Sequence, residues 1–267
     1  MRDLVTTAML ADELGSPDLV ILDASLAPPG KPGDMRADFE HQHIPGARFL
    51  DLPALKGADF ATAMEQLGVG SGDRIIVYDH SPLRSATRGW WLLRQHGAAH
   101  VAVLDGGLGK WLAEARAVES GPAPARDASF AARPDHSRKV SKADILAGLD
   151  APLLDARDAA RFTGQSSDPR PGIADGHIPG ACNLPFADLY QPDGTFKPVD
   201  ELRAAFAAAG IDPAQPFVAS CGSGVTATSL LFAAQLLGND NARIYDGSWT
   251  EWGADPDTPK ELGPAHS

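Results

Sequence analysis

Cys221 is the residue of this sequence best placed for nucleophilic chemistry. It follows a short apolar run typical of a buried strand, residues 217–219, and precedes two glycines and an apolar segment of helical periodicity, residues 225–237. A strand, a glycine-containing turn and a helix start predict that successive backbone amides converge on an anion at Cys221. Such an environment lowers the pKa of a thiol and makes the thiolate available at neutral pH. The alternative is a buried structural cysteine in a tight turn.

The composition of the chain limits its partners and its compartment. The chain has 267 residues, of which 43% are hydrophobic, and this is enough for two domains with separate cores. A net charge of −12 makes nucleic acids and anionic membranes poor partners. Two cysteines imply no disulfide framework and favour a reducing, cytoplasmic location. No apolar run of about 18 residues predicts a membrane span, and the first residues lack the pattern of a targeting segment.

The second half of the chain repeats landmarks of the first. The sequence His-Ile-Pro-Gly-Ala occurs at residues 43–47 and again at 177–181, and both halves end with Asp-Gly and a tryptophan. Strand and helix patterns alternate in each half, which predicts an α/β fold of two tandem domains, each a mostly parallel sheet flanked by helices. We expect domains at residues 1–118 and 138–267, joined by a Pro- and Ala-rich linker at residues 119–137.

The first half lacks the reactive thiol. Its strand at residues 74–78 is followed by Asp79, at the position where the second half has Cys221. In parallel sheets ligands bind at the carboxyl ends of strands, where both residues are expected to lie. A carboxylate cannot replace a thiol nucleophile. The first domain is therefore predicted to be a scaffold that supplies one wall of a cleft between the domains.

These motifs together resemble the two-domain rhodanese superfamily of sulfurtransferases, over roughly residues 20–252. The loop Cys-Gly-Ser-Gly-Val-Thr, residues 221–226, is most similar to that of the 3-mercaptopyruvate sulfurtransferases. The resemblance implies that Cys221 takes a sulfur atom from 3-mercaptopyruvate, releases pyruvate and forms a persulfide. A thiol, a thioredoxin-type dithiol or cyanide would then accept the sulfur. No metal or organic cofactor is required.

The resemblance also implies the binding residues around the thiol. Loop donors would stabilise the persulfide charge, and these are Gly222, Gly224, Val225 and Thr226. The two residues that follow the cysteine are uncharged here, whereas thiosulfate-specific relatives have basic side chains there. By resemblance, the carboxylate of the donor is held by Arg161 and Arg170. Considered without the family, two arginines in a loop are typical of solvated surface charge.

A Ser-His-Asp arrangement that polarises the substrate is the third implication of the resemblance. It falls on Ser223, His43 and Asp34, and Asp38 or Glu40 could replace Asp34. The alternative for the histidine is a turn residue that bonds to the backbone, as is expected for His177 in the second half.

Other functions and sites receive less support from the sequence. Cysteine phosphatases need an arginine six residues after the cysteine, where this chain has Ala227. A thiosulfate:cyanide sulfurtransferase and a sulfur-relay module for a protein partner remain alternatives. Cys182 is interpreted as a small core residue, and the histidines show no metal-ligand spacing with the cysteines.

Overall fold

The computed structural model describes residues 2–31 and 33–265, which divide into two compact units. Unit 1 comprises the chain up to His136 together with Pro192–Thr195, and unit 2 comprises Ser137–Gln191 and the chain from Phe196 onwards. Each unit has one five-stranded sheet in which every pairing is parallel. The predicted α/β class with two mostly parallel sheets is therefore confirmed.

The sheet of unit 1 has the strand order β1-β5-β4-β2-β3; in the described residues one helix lies on each of its four connections and a fifth follows β5. The apolar residues of its central strands are buried, which explains why the sequence there contains almost no polar residue. The strands are β1 (Leu4–Val5), β2 (Leu19–Asp23), β3 (Arg48–Phe49), β4 (Arg74–Tyr78) and β5 (His100–Leu104). The helices are α1 (Thr7–Glu13), α2 (Met35–His41), α3 (Phe60–Gln66), α4 (Ala86–Gln95) and α5 (Gly107–Ala113).

The sheet of unit 2 has the order β6-β10-β9-β7-β8. Its strands are β6 (Lys139–Val140), β7 (Leu153–Asp155), β8 (Cys182–Asn183), β9 (Val218–Ser220) and β10 (Arg243–Tyr245). Its helices are α6 (Lys142–Ala147), α7 (Ala159–Thr163), α8 (Val199–Ala208), α9 (Ala227–Leu236) and α10 (Ser248–Trp252), with a 3-10 helix at Phe186–Leu189. Ser141 and Asp144 form the capping box expected at the start of α6.

The two sheets have the same strand order, element by element, and this supports a duplication. In each, the strand that precedes the candidate loop is central: β4 in unit 1 and β9 in unit 2. Ala24 donates its amide to Tyr78 O at 2.8 Å, and Ala156 donates its amide to Ser220 O at 2.8 Å. Tyr78 and Ser220 are thus equivalent, and so are the residues that follow them.

Most of the segment at residues 119–137, expected to be a linker, lies against unit 1. Phe130 is buried, and the Arg126 side chain donates to Asp73 Oδ2 at 2.6 Å and to Gly68 O at 2.7 Å. The segment contains no helix or strand beyond a single bridge at Glu119. Its lack of periodicity therefore reflects an extended chain that packs on a folded unit.

In residues 2–31 and 33–265, no helix combines the length and the apolar character needed to cross a membrane.

Candidate active site

Cys221 lies at the carboxyl end of the central strand β9, and the loop 221–226 leads from it into α9. The strand and the first two turns of α9 are buried, so the loop is held between two packed elements. Cys221 itself is only 1% exposed. The glycine at position 224 has a φ of +76°, in the left-handed region that glycine adopts without strain, and it turns the chain into the helix.

Ser248 holds the start of this loop. Its Oγ accepts hydrogen bonds from the amides of Cys221 and Gly224, each at 3.1 Å, and donates to Tyr245 O at 2.9 Å. The same oxygen lies 3.9 Å from Cys221 Sγ. Ser248 adopts a φ of +53°, which is uncommon for a residue with a side chain. The hydroxyl therefore satisfies two buried amides and fixes the position of the thiol.

Four further loop amides face no acceptor. Among the described residues, none accepts a hydrogen bond from the backbone N–H groups of Gly222, Ser223, Val225 and Thr226. Ser223 is exposed, and its hydroxyl bonds to no described residue. Amides in this arrangement, at the start of a helix, are a common binding site for an anion.

Arg170 is anchored beside the loop. Its Nε and Nη2 donate to the two oxygens of Asp168, each at 2.6 Å, and its Nη1 donates to Gly222 O at 3.2 Å and to Thr250 Oγ1. A Cβ at position 222 would lie 2.8 Å from Arg170 Nη2, so a side chain there would displace the guanidinium from this position. The arginine thus bonds to the loop carbonyl that follows the thiol.

Arg161 lies at the end of α7 and has a carboxylate partner of its own. Its Nε donates to Asp158 Oδ2 at 2.5 Å. Burial alone would raise the pKa of Asp168, but the hydrogen bonds from Arg170 and the positive charge of Arg161 outweigh it and hold that pKa below its usual range. Both arginines therefore lie near the same buried carboxylate, and each has an aspartate partner of its own.

His43 is fully buried in unit 1. Its Nδ1 lies 2.7 Å from Phe39 O, its ring stacks on that of Phe39, and its Nε2 lies 3.6 Å from Glu119 Oε1. Asp34 accepts the amide of Ala37 at 3.1 Å and caps α2. In the described part of the chain, no hydrogen bond joins the ring of His43 to Asp34 or to the two alternatives, Asp38 and Glu40.

His177 has the same environment in unit 2. Its Nδ1 lies 2.8 Å from Phe162 O, its ring stacks on Phe162, and its Nε2 lies 3.6 Å from Glu261 Oε2. Both histidines thus have the environment expected of a turn histidine that bonds to the backbone, which is the alternative to a catalytic role for His43.

The equivalent loop in unit 1 carries Asp79 in the place of Cys221. Its carboxylate accepts the amides of Ser81 at 3.0 Å and of Ala86 at 2.7 Å. Burial raises the pKa of Asp79 to about 6, although these hydrogen bonds act in the opposite direction.

Sequence reasoning missed three residues of the site: Ser248, Asp168 and Thr250. Ser248 follows the repeated Asp-Gly motif, but its contacts and those of Thr250 are with loop residues distant in sequence. Asp168 stands two residues before Arg170, and this local spacing is the one signal that could have indicated the pair. Within the described residues, no group of three or more His, Cys, Asp or Glu side chains is arranged to hold a metal ion.

Comparisons with known proteins agree with the duplicated fold. The sequence model of the rhodanese-like domain family matches this chain twice, at residues 6–114 and 140–255. The chain is 39% identical to the 3-mercaptopyruvate sulfurtransferase of Escherichia coli K12, over 94% of this chain and 95% of that protein. It is 36% identical to the thiosulfate sulfurtransferase of Cricetulus griseus, over 94% and 92% of the two chains.

A solved structure of a sulfurtransferase is also similar to this chain over nearly its whole length. The crystal structure of SseA, a 3-mercaptopyruvate sulfotransferase from Escherichia coli, matches with a TM-score of 0.83 at 36% identity, over 93% of this chain and 99% of that chain. The chain therefore belongs to the rhodanese family of two-domain sulfurtransferases.

Proposed function

We propose that this protein transfers a sulfur atom from 3-mercaptopyruvate to an acceptor through a persulfide on Cys221, and that it releases pyruvate. The observation that carries the proposal is a cysteine at the end of a central strand, beside four loop amides that have no acceptor of their own. The identity with 3-mercaptopyruvate sulfurtransferases over nearly the whole chain supports the donor.

The reaction has two steps. The Cys221 thiolate attacks the sulfur of 3-mercaptopyruvate, an S–S bond forms and the C–S bond breaks. The electron pair of the broken bond stays on carbon as the enolate of pyruvate, which takes up the proton of the donor thiol. In the second step an acceptor thiolate attacks the outer sulfur of the persulfide, and Cys221 leaves as the thiolate.

The loop amides stabilise the charge on the outer sulfur. A persulfide carries its negative charge there, and preorganised N–H donors at a helix start stabilise such a charge without reorganisation. Ser223, two residues after the thiol in the sequence, supplies an exposed hydroxyl suited to bind the leaving enolate or to pass it the proton of the donor thiol. His43 and Asp34 remain in the proposed arrangement on the family resemblance alone, because the first is buried and the second caps a helix.

The two arginines have different capacities to bind the carboxylate of the donor. Arg170 already uses four of its five N–H donors, on Asp168, Gly222 and Thr250. Arg161 uses only its Nε, on Asp158. We therefore assign bidentate carboxylate binding to Arg161 and an orienting role to Arg170.

Paired alanine variants test this division. Arg161→Ala is expected to raise the KM for 3-mercaptopyruvate by about tenfold or more with little change in kcat, since it removes charge-assisted hydrogen bonds worth roughly 1.5–3 kcal/mol. Arg170→Ala is expected to lower kcat as well, because the carbonyl of Gly222 loses a donor. Arg203→Ala, on the exposed face of α8, is the control. A loss of kcat alone in Arg161→Ala would contradict the assignment.

A thiosulfate donor is the alternative that a specific finding favours, namely the similarity to a thiosulfate sulfurtransferase. The uncharged residues Gly222 and Ser223 argue against it as the main activity, since a dianion needs more positive charge at the loop. Turnover with the two donors distinguishes the alternatives. Ser223→Lys is expected to raise turnover with thiosulfate relative to turnover with 3-mercaptopyruvate. An unchanged ratio of the two would show that the charge of the loop does not select the donor.

The acceptor belongs to the same proposal. A thiol or a thioredoxin-type dithiol can attack the persulfide, and a reducing, cytoplasmic location suits an enzyme that depends on a free thiol. A sulfur-relay role predicts a partner protein joined to Cys221, which a pull-down after loading with 3-mercaptopyruvate would detect.

A further inference from the structure

The segment Glu261–Gly263, here called the strap, lies beside the part of unit 2 that carries Arg170. That part, residues 164–176, is here called the arginine loop. It follows α7 and ends immediately before the second His-Ile-Pro-Gly-Ala turn. The sequence assigns no role to the strap.

The strap binds both ends of the arginine loop. The amide of Gly263 donates to Thr163 O at 3.0 Å, directly before the loop. Glu261 exchanges two backbone hydrogen bonds with His177, of 2.9 and 3.0 Å, directly after the loop. One short segment therefore holds the two ends of the loop at a fixed separation.

The side chain of Glu261 strengthens this attachment. Its Oε2 accepts the amide of Gly180 at 3.0 Å and lies 3.6 Å from His177 Nε2. Because Nδ1 of His177 lies 2.8 Å from Phe162 O, the ring is held in one orientation towards the carboxylate. The strap is thus bound through its backbone and through one carboxylate.

Leu262 packs on the loop although it is 67% exposed. Its Cδ2 lies 2.4 Å from the position of a Cβ on Gly164 and 3.0 Å from that of a Cβ on Gly176. These glycines are the first and last residues of the arginine loop, and both have positive φ. Leu262 is therefore a strap side chain that contacts both ends of the arginine loop.

We propose that the strap is a positioning element for the arginine loop and for the end of α7 before it. It thereby places Arg161, which binds the carboxylate of the donor, and Arg170, which orients the thiol loop. The inference rests on the proposed role of these arginines. A loop held at both ends loses little conformational entropy when it binds a ligand, and the ligand therefore binds more tightly. Loss of the strap weakens carboxylate binding and leaves the thiol loop unchanged.

Two variants of the strap test the proposal in the full chain. Glu261→Ala removes the acceptor of Gly180, and Leu262→Ala removes the packing on the two glycines. Glu261→Gln retains an oxygen that can accept the amide of Gly180. It should therefore bind the carboxylate of the donor nearly as well as the unchanged protein does. Leu146→Ala is the matched control, because Leu146 is also an exposed leucine, on α6, at 55% exposure.

Alkylation of Cys221 provides a readout that needs no sulfur transfer. Iodoacetate carries a carboxylate and iodoacetamide does not, so the ratio of their rates reports carboxylate binding near the thiol. We expect this ratio to fall about tenfold in Glu261→Ala and about threefold in Leu262→Ala, since small misplacements of binding groups have effects of this size. The iodoacetamide rate and the kcat should stay within error of the unchanged protein, while the KM for 3-mercaptopyruvate rises.

The outcomes separate the two proposals. If both variants keep the alkylation ratio and the KM of the Leu146→Ala control, the strap has no positioning role. If the iodoacetamide rate and the kcat fall together with the ratio, the strap supports unit 2 as a whole and the inference is wrong. If the ratio falls but no variant, nor the unchanged chain, takes sulfur from 3-mercaptopyruvate, the positioning role stands and the proposed function fails.

Discussion

The loops after β4 and β9 share one framework but differ in the groups they contain. In each, the residue after the strand accepts a backbone hydrogen bond from the helix that follows the neighbouring strand. Leu108 of α5 donates to Asp79 O at 3.0 Å, and Trp249 of α10 donates to Cys221 O at 2.9 Å. In each, the residue before that donor has a positive φ. The framework was therefore kept after duplication, and the side chains within it changed.

In unit 1, a side chain of the loop itself accepts hydrogen bonds from the loop amides. The carboxylate of Asp79 accepts the amides of Ser81 and Ala86, the latter being the first residue of α4. An internal anion thus occupies the hydrogen-bond donors at the start of the helix. A loop of this kind satisfies its own donors and offers little to a ligand.

In unit 2, several backbone amides of the loop are available to donate hydrogen bonds to a ligand. A thiol cannot accept two amides as a carboxylate does, and Ser248 takes those of Cys221 and Gly224 instead. The four other loop amides are without an acceptor among the described residues. The capacity to bind an anion thus arises in the loop where the protein does not supply its own.

A second equivalent position also differs between the two units. Unit 1 has Gly107 where unit 2 has Ser248, with φ values of +56° and +53°. A Cβ on Gly107 would lie 2.3 Å from Asp79 O, so a side chain does not fit there. Serine at this position is therefore specific to the loop that carries the thiol.

The largest effect is expected when the residue of unit 1 is placed in unit 2. Cys221→Asp should abolish turnover, by at least about a thousandfold, because the nucleophile is lost. The protein should remain folded, since a carboxylate can accept the loop amides as in unit 1. Cys182→Ser is the control, as burial raises the pKa of that thiol and makes it a poor nucleophile. Residual turnover in the first variant, or loss of turnover in the second, would overturn the assignment of the nucleophile.

A smaller effect concerns the stability of unit 1. The pKa of Asp79 is raised by burial from 3.8 to about 6, so its carboxyl holds a proton more tightly in the folded state. This stabilisation is fully present below the ordinary pKa and is lost as the pH rises through about 6. The free energy of unfolding should fall by up to about 3 kcal/mol across this range from this group. Denaturant unfolding of the unchanged protein and of Asp79→Asn, at several pH values, measures it. A difference between the two proteins that does not vary with pH contradicts the comparison.

The smallest effect is expected from Ser248→Gly, which gives unit 2 the glycine of unit 1. Glycine suits the positive φ, so the fold should be retained. The amides of Cys221 and Gly224 lose their acceptor, and an unsatisfied buried amide costs roughly 1–3 kcal/mol. The kcat should fall about tenfold while the KM changes little. Unchanged single-turnover rates of persulfide formation would show that Ser248 does not position the thiol.

The sequence predicted the features that depend on local pattern. Apolar runs gave the strands, glycines gave the turns, and the repeated landmarks indicated the duplication, so Cys221 was correctly placed at a strand end. The contacts of Arg170 with Gly222 and Thr250, and those of Glu261 with His177, join residues far apart in sequence, and no local pattern encodes them. The pairing of Arg170 with Asp168 spans only two residues.

Two assignments show where a single sequence leaves alternatives open. His43 has a polar side chain in a repeated turn, a pattern equally compatible with catalysis and with bonding to the backbone. Its buried ring and its bond to Phe39 O became visible only in the folded unit. The residues 119–137 lack periodicity because their contacts, such as that of Arg126 with Asp73, are made by an extended chain.

The most direct test is the mass of the protein after reaction with 3-mercaptopyruvate without an acceptor. We predict one added sulfur atom, located on the peptide that contains Cys221, and its removal by a thiol. The Cys182→Ser protein should gain the same mass, and the Cys221→Asp protein should gain none. An added sulfur on Cys182, or none on the unchanged protein, would contradict the central claim that the loop of unit 2 carries the sulfur.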